Sequence, residues 1–271
     1  MNDVWRIISS PPARGAWNMA LDEALLEAVG RGDSRPILRL YAWQPACLSL
    51  GYAQSFKDVD TARLQAHGWD VVRRATGGRA ILHVDELTYS VIAPPDEPRV
   101  QGSILESYQR LSGALISAVR SLGLPVEMEP SGPQADGVKG PVCFEVPSAY
   151  EIVVAGKKLV GSAQARKKEG VLQHGTFPLT GDLTRITQVL VFEDEHLRQA
   201  AANKLLTRAV TAETVTGKTI TWQLAAAAFS NAFEQVLEIT LEHSMLTPAE
   251  LARTDELVRD KYGHPSWTER L

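Results

Sequence analysis

Cysteine is almost absent: 271 residues contain two, Cys47 and Cys143. Two thiols build no disulfide framework, and a reducing compartment would leave both free for chemistry. No apolar run approaches the roughly 20 residues that span a bilayer. The N-terminus, MNDVWRIISS, carries Asp3 and Arg6 where a signal peptide needs an unbroken apolar stretch. A cytoplasmic chain without a membrane partner is therefore expected. A basic excess is missing too. The net charge is −4, whereas nucleic-acid binding shows as clustered positive charge, and the short run 166–168 reads as a solvated turn. No His and acidic residues stand at a zinc-like spacing, so no metal is expected. No P-loop or Rossmann fingerprint occurs, and no repeat or low-complexity segment.

Hydrophobic residues make up 44% of the chain, enough to fill a substantial core. Segment 16–29 reads as a helix. Met19, Leu21, Leu25, Leu26 and Val29 fall near a 3.6 period, with Asp22, Glu23 and Glu27 on the other side and Gly30 and Gly32 ending it. Strands are expected at 37–41 and 47–52 around Pro45, then a short helix at 59–67. Strands 69–73 and 80–83 enter and leave a glycine turn, and 87–93 is a further strand. The longest helix spans 103–122, closed by Gly123. Strand 126–129 leads into a Gly/Pro-rich loop at 130–141, long enough to suggest function. Segments 150–154 and 158–165 form a hairpin around Ala155-Gly156. Strand 171–179 and helices 221–239 and 248–262 complete the reading. Without a steady βαβ rhythm, a doubly wound parallel sheet is disfavoured.

Three places carry chemistry. Cys143 sits at the end of the Gly/Pro loop in PVCFEVPSAYE, where a nearby lysine ammonium would populate its thiolate. Cys47, in the alternating segment CLSLGY, reads as core instead. Lys157 and Lys158 lie in a strand-like run that sends one inward and the other to solvent. Small residues follow, Gly161, Ser162 and Ala163, and signal close approach of backbone to something. In RRATGGRAILH, Gly77-Gly78 reverses the chain with amides exposed to a carbonyl or phosphate, and Arg73, Arg74 and Arg79 add positive charge. His83 and His174 are isolated histidines. A nucleophile, a proton carrier and a backbone cradle point to acyl transfer, although spacing alone does not bring Cys143 to Lys158.

Taken together, WNMALDEALL (17–26), LRLYAWQPACLSLGYAQ (38–54), RRATGGRAILH (73–83), YEIVVAGKKLVGSAQ (150–164) and QHGTFPL (173–179) resemble the lipoate–protein ligase and octanoyltransferase family. The resemblance implies an α/β fold of the α+β kind, the biotin/lipoate protein ligase-like catalytic domain with a central mixed, largely antiparallel sheet. One catalytic domain would span 1–271, with a helical portion from about 181. It implies Cys143 as nucleophile and Lys158 as the lysine at the acyl carbonyl, with Arg73, Gly77, Gly78, Arg79, His83, Gly161, Ser162 and His174 around the substrate. It implies octanoyl-acyl carrier protein as donor, an apo lipoyl domain such as the glycine-cleavage H protein as acceptor, and no cofactor. Adenylating ligases tend to read Ser-Gly-Gly-Gly in the turn. Here the run is Thr76-Gly77-Gly78-Arg79, which argues against an ATP-dependent ligase. An amidotransferase between lipoyl domains would use the same cysteine, and a catalytically dead carrier-binding module would form no covalent intermediate.

Overall fold

The computed structural model describes residues 3–129 and 151–271. Cys143 and its loop lie outside the described residues. Strand β1 (Val4–Ser9), absent from the expected elements, buries Trp5, Ile7 and Ile8. Helix α1 (Gly15–Gly30) agrees with expectation in extent but not in character. Its supposed polar side buries Asn18 and Asp22 as fully as its leucines. Strand β2 (Ile37–Tyr41) follows as read. Strand β3 (Cys47–Leu50) ends two residues early, because Gly51 leaves the ladder to pack on the Gly78 carbonyl, where a Cβ would collide. Helix α2 (Thr61–Ala66) is shorter than 59–67. The Asp60 side chain accepts from the Arg63 amide at 3.0 Å and sets its start.

Strands β4 (Asp70–Arg73) and β5 (Ile81–His83) flank the glycine turn, and β6 (Glu86–Ala93) is buried along its whole length. Helix α3 (Ile104–Ser121) opens on a capping box. Ser103 Oγ accepts the Glu106 amide at 3.2 Å, and Glu106 accepts the Ser103 amide at 2.7 Å. Strand β7 (Glu127–Glu129) ends the first described stretch. Strands β8 (Glu151–Val154) and β9 (Lys157–Lys167) form the expected hairpin. Its turn residues Ala155 and Gly156 both take positive φ, 48° and 73°, which matches the right-handed strand twist. Strand β10 (Gly170–Pro178) is followed by helices α4 (Glu195–Arg208), α5 (Ala212–Thr216) and α6 (Trp222–Leu237). Strand β11 (Thr240–His243), α7 (Pro248–Leu257), a π-helical turn at Val258–Tyr262 and α8 (Pro265–Thr268) end the chain. Helices α4 and α5 fall within the helical portion expected from about 181 without individual bounds, and strand β11 was not expected.

Eight strands form one sheet in the order β11-β1-β2-β6-β10-β9-β8-β7. The pairs β1–β11 and β1–β2 are parallel and the other five are antiparallel. The sheet is thus mixed and largely antiparallel. Helices α3 and α6 cover one face, with Tyr89, Phe177, Phe229 and Phe233 between them and the strands. Helix α1 covers the other face through Leu21, Leu25, Leu26 and Val29. A smaller sheet, β4-β3-β5, lies across the opposite side of α1, against Met19, Ala20 and Ala24. Helix α7 and the π-helical turn cover the remaining side of α1, where Glu27 pairs with Arg253 and Glu23 with Lys261. Asn18 and Asp22 face the large sheet and must find partners inside. Among the described residues no helix is long and apolar enough to cross a membrane.

Candidate active site

The two sheets and the start of α1 enclose a cavity of about 460 Å³. Strand β9 and the end of β10 form one wall, and β3, β5 and the glycine turn the other. Met19, Tyr41, Trp43, Ile81 and Ala163 supply apolar surface. Gly77, Gly78, Arg79, His83, Lys158, Gly161, Ser162 and His174 all line this space. The chain positions 77–83, 158–162 and 174 are therefore brought together, as a shared site requires.

Lys158 is 4% exposed. Its Nζ lies 2.7 Å from Glu151 Oε1, across the β8–β9 hairpin. Lys157 turns to the other side of the strand, and its Nζ donates to the Leu206 carbonyl at 2.8 Å. The strand alternation thus selects Lys158 as the inward lysine. Gly161 and Ser162 sit where β9 pairs with β10 opposite Thr176 and Gly175. A side chain at Gly175 would strike the Gly161 carbonyl and the Tyr89 ring, so the small residues read from sequence serve strand-to-strand approach at the cavity wall. Ser162 Oγ and Tyr89 Oη are 2.7 Å apart.

Each histidine belongs to a polar chain that sequence could not join. His83 Nδ1 donates to Glu86 Oε1 at 2.6 Å, and Ser49 Oγ donates to His83 Nε2 at 2.7 Å. The carboxylate can only accept, which fixes the tautomer. Burial favours the neutral acid of Glu86, but the His83 ring and neighbouring threonine hydroxyls outweigh it and hold the carboxyl below its ordinary value. Trp43 stacks on His83, with centroids 4.0 Å apart, and donates through Nε1 to Thr88 Oγ1 at 2.7 Å. His174 Nδ1 faces Asp22 Oδ2 at 3.5 Å, and Thr76 Oγ1 donates to His174 Nε2 at 2.6 Å. Burial pushes the His174 imidazole below its ordinary value, Asp22 offsets only part, and the ring is neutral near pH 7. Asp22 itself pairs with Arg39 at 2.7 Å, both almost fully buried. Burial opposes its charge, yet Arg39 and His174 keep its carboxyl below the ordinary aspartate range.

The two arginines before the turn act on carbonyls. Arg74, which also lines the cavity, donates to Ser49 O at 2.9 Å, Gly77 O at 2.8 Å and Arg79 O at 2.7 Å, which sets the path of the turn. Arg73 corrects the sequence expectation. It is not at the cavity: it is fully buried behind the turn, and its guanidinium donates to the carbonyls of Gly51, Tyr52, Gln54, Trp267 and Thr268. Cys47 is core, as read, and burial raises its thiol well above the ordinary value. Cys143 lies outside the described residues. Sequence reasoning missed Glu151, Asp22, Glu86 and Ser49. Their signal was presence near the motifs: Glu86 and Glu151 stand close to His83 and Lys158 in the chain, while Asp22 and Ser49 meet their partners only through the packing of elements distant in the chain. Among the described residues no group of His, Cys, Asp or Glu could hold a metal.

This arrangement offers apolar wall to a hydrocarbon chain and sets a lysine and a glycine turn on facing sides of one cavity. Residues 14–234 match the lipoyl protein ligase A/B catalytic domain. The chain is 40% identical to the octanoyltransferase LipM of Brevibacillus brevis, covering 98% of this chain and 99% of that protein. It is 37% identical to LipM of Staphylococcus aureus over the full length of both. Its fold is that of the bipartite lipoate protein ligase of Thermoplasma acidophilum, with a TM-score of 0.81, 24% identity and coverage of 99% and 96%. It is likewise that of a lipoate-protein ligase A bound with ATP, with a TM-score of 0.79, 23% identity and coverage of 99% of each chain. The chain belongs to the lipoyl protein ligase A/B catalytic domain family, among its octanoyltransferases, and is an acyltransferase.

Proposed function

We propose that this acyltransferase moves octanoyl from octanoyl-acyl carrier protein, through a thioester on Cys143, to a lysine of an apo lipoyl domain in lipoate biosynthesis. The Cys143 thiolate attacks the donor thioester carbonyl, and the carrier's thiolate leaves and takes a proton. The neutral ε-amine of the acceptor lysine then attacks the Cys143 thioester. It loses a proton, and the Cys143 thiolate is released. A thioester is already activated, so the transfer to an amide runs downhill without ATP. Lys158 donates a hydrogen bond to the acyl carbonyl and carries protons between the two steps, while turn amides stabilise the oxyanion. The observation that carries this reading is Lys158: a buried lysine, ion-paired to Glu151, on the wall of a cavity with apolar lining.

The acceptor amine must enter a site already holding an acyl-cysteine, so it must stand at the tip of a turn. The glycine-cleavage H protein and other lipoyl domains present such a lysine, and the H protein is ranked first. Mixing the protein with octanoyl-acyl carrier protein should raise its intact mass by one octanoyl group. Cys143→Ala should abolish the rise and Cys47→Ala should not; the reverse pattern sinks the assignment. An octanoylated lipoyl domain in place of the carrier protein tests the amidotransferase reading. Apo H protein competing with apo dehydrogenase lipoyl domains at two ionic strengths tests the acceptor. Preference for the dehydrogenase domains would overturn the ranking.

A further inference from the structure

We infer that the C-terminal segment carrying Trp267 and Arg270 is a positioning element for the glycine turn of the active site. The inference deepens the acyl-transfer reading, because the turn is the wall that faces the acyl carbonyl there. The link is a chain of direct contacts. Trp267 Nε1 donates to the Arg73 carbonyl at 2.9 Å, while the Arg73 guanidinium donates back to Thr268 O at 2.8 Å. The same guanidinium reaches Gly51 O at 2.9 Å and Gln54 O at 2.5 Å. The Arg270 guanidinium packs against the rings of both Tyr52 and Trp267, 4.1 Å from each centroid, and donates to Tyr52 O at 2.8 Å. The Phe56 amide donates to Leu271 O at 2.8 Å. The tail therefore grips segment 51–56 along its length.

That segment is what the turn rests on. The Tyr52 amide donates to the Thr76 carbonyl at 2.9 Å, and Gly51 lies so close under Gly78 that no side chain fits between them. Thr76 in turn holds His174 at 2.6 Å. Nothing else among the described contacts of Arg73 explains a fully buried cation: it bonds main-chain carbonyls only, drawn from the tail and from segment 51–54. A charged fork with that many carbonyls around it fixes their relative positions, and misplacing a reacting group by about 1 Å can cost about 10²-fold in rate. Trp267 and Arg270 touch no cavity atom, so they act through Arg73, Tyr52 and Gly51.

The test uses the full chain with Trp267→Phe, Arg270→Ala and Arg270→Lys, and exposed Glu269→Ala as control. Amide hydrogen exchange at Tyr52 and Arg74, whose amides anchor the turn by donating to the Thr76 and Leu50 carbonyls, is measured together with kcat and KM for an octanoyl thioester, octanoate affinity, and the thermal midpoint. Trp267→Phe and Arg270→Ala should speed exchange at these amides by about tenfold or more and lower kcat/KM at least tenfold at a temperature where all variants are folded. Arg270→Lys, which keeps a cation over the two rings, should recover part of both, and Glu269→Ala should change neither. Unchanged exchange at these amides overturns the inference, whatever the activity. So does faster exchange with kcat/KM and octanoate affinity intact, or a lowered midpoint as the sole effect. If the wild-type chain transfers no octanoyl group, the proposed function falls, and exchange at these amides with octanoate affinity still decides the positioning role.

Discussion

Glu151 holds Lys158 across the β8–β9 hairpin, Oε1 to Nζ at 2.7 Å, with both side chains shielded from water. The amine therefore has one orientation on the cavity wall, set by a residue on the neighbouring strand. Glu151→Gln keeps an acceptor but removes the charge, and should slow acyl transfer by about 10²-fold, as a mispositioned group does. Lys158→Ala should cost roughly 10²–10⁴-fold, the usual loss of an acid–base group. Lys157→Ala should leave the rate near wild type, since its Nζ is engaged with the Leu206 carbonyl on the far side. Single-turnover acyl transfer measures all three, and equal effects at the two lysines would refute the ordering.

His174 predicts an acid limb in stability. Burial sets its folded pKa below the ordinary 6.5, so the unfolded chain binds the proton first as the pH falls. Stability is complete above about 6.5 and declines as the pH drops toward the folded value. Asp22 and Glu86 are held below 3.8 and 4.5, so what they contribute is present above those values and lost only at lower pH. Urea denaturation at a series of pH values should show His174→Gln flattening the decline that begins below the ordinary histidine pKa. An unchanged slope there would remove His174 as its source.

Arg39 and Asp22 make the most buried ion pair described, 2.7 Å apart with exposures of 0% and 1%. Arg39 also donates to Asn18 Oδ1 at 2.6 Å and stacks 3.8 Å over Tyr41. Asp22→Asn leaves a guanidinium buried without its counter-charge and should cost about 3–5 kcal/mol, measured by chemical denaturation. A loss below about 1 kcal/mol would mean that the amides and the ring suffice.

Arg79 stands where an adenylating enzyme tends to carry a third glycine. Turnover from an octanoyl thioester should therefore be the same with and without ATP and Mg²⁺, followed by mass spectrometry of the acceptor. Efficient formation of octanoyl-adenylate from free octanoate would contradict the transferase chemistry.

Local chemistry carried much of this protein into its sequence. The α1 span, the Ala155-Gly156 hairpin, the alternation that turns Lys158 inward and the Gly77-Gly78 reversal all follow from contacts within a few residues, and each is visible as periodicity or as a turn residue. The tertiary structure alone decided what those elements face. Asp22 read as the polar side of a surface helix, because nothing in its neighbours reveals that it faces the large sheet; buried there, it is paired with Arg39 and bonded by Ser90. Arg73 read as positive charge for a ligand, because its partners Trp267 and Thr268 come from almost 200 residues away. Asp22, the acid partner of His174, escaped for the same reason, whereas Glu86 and Glu151 stand near His83 and Lys158 in the chain and escaped because pairing needs the register. A hydrogen bond across strands depends on register, and register is set by burial of whole faces rather than by the residues that form the bond.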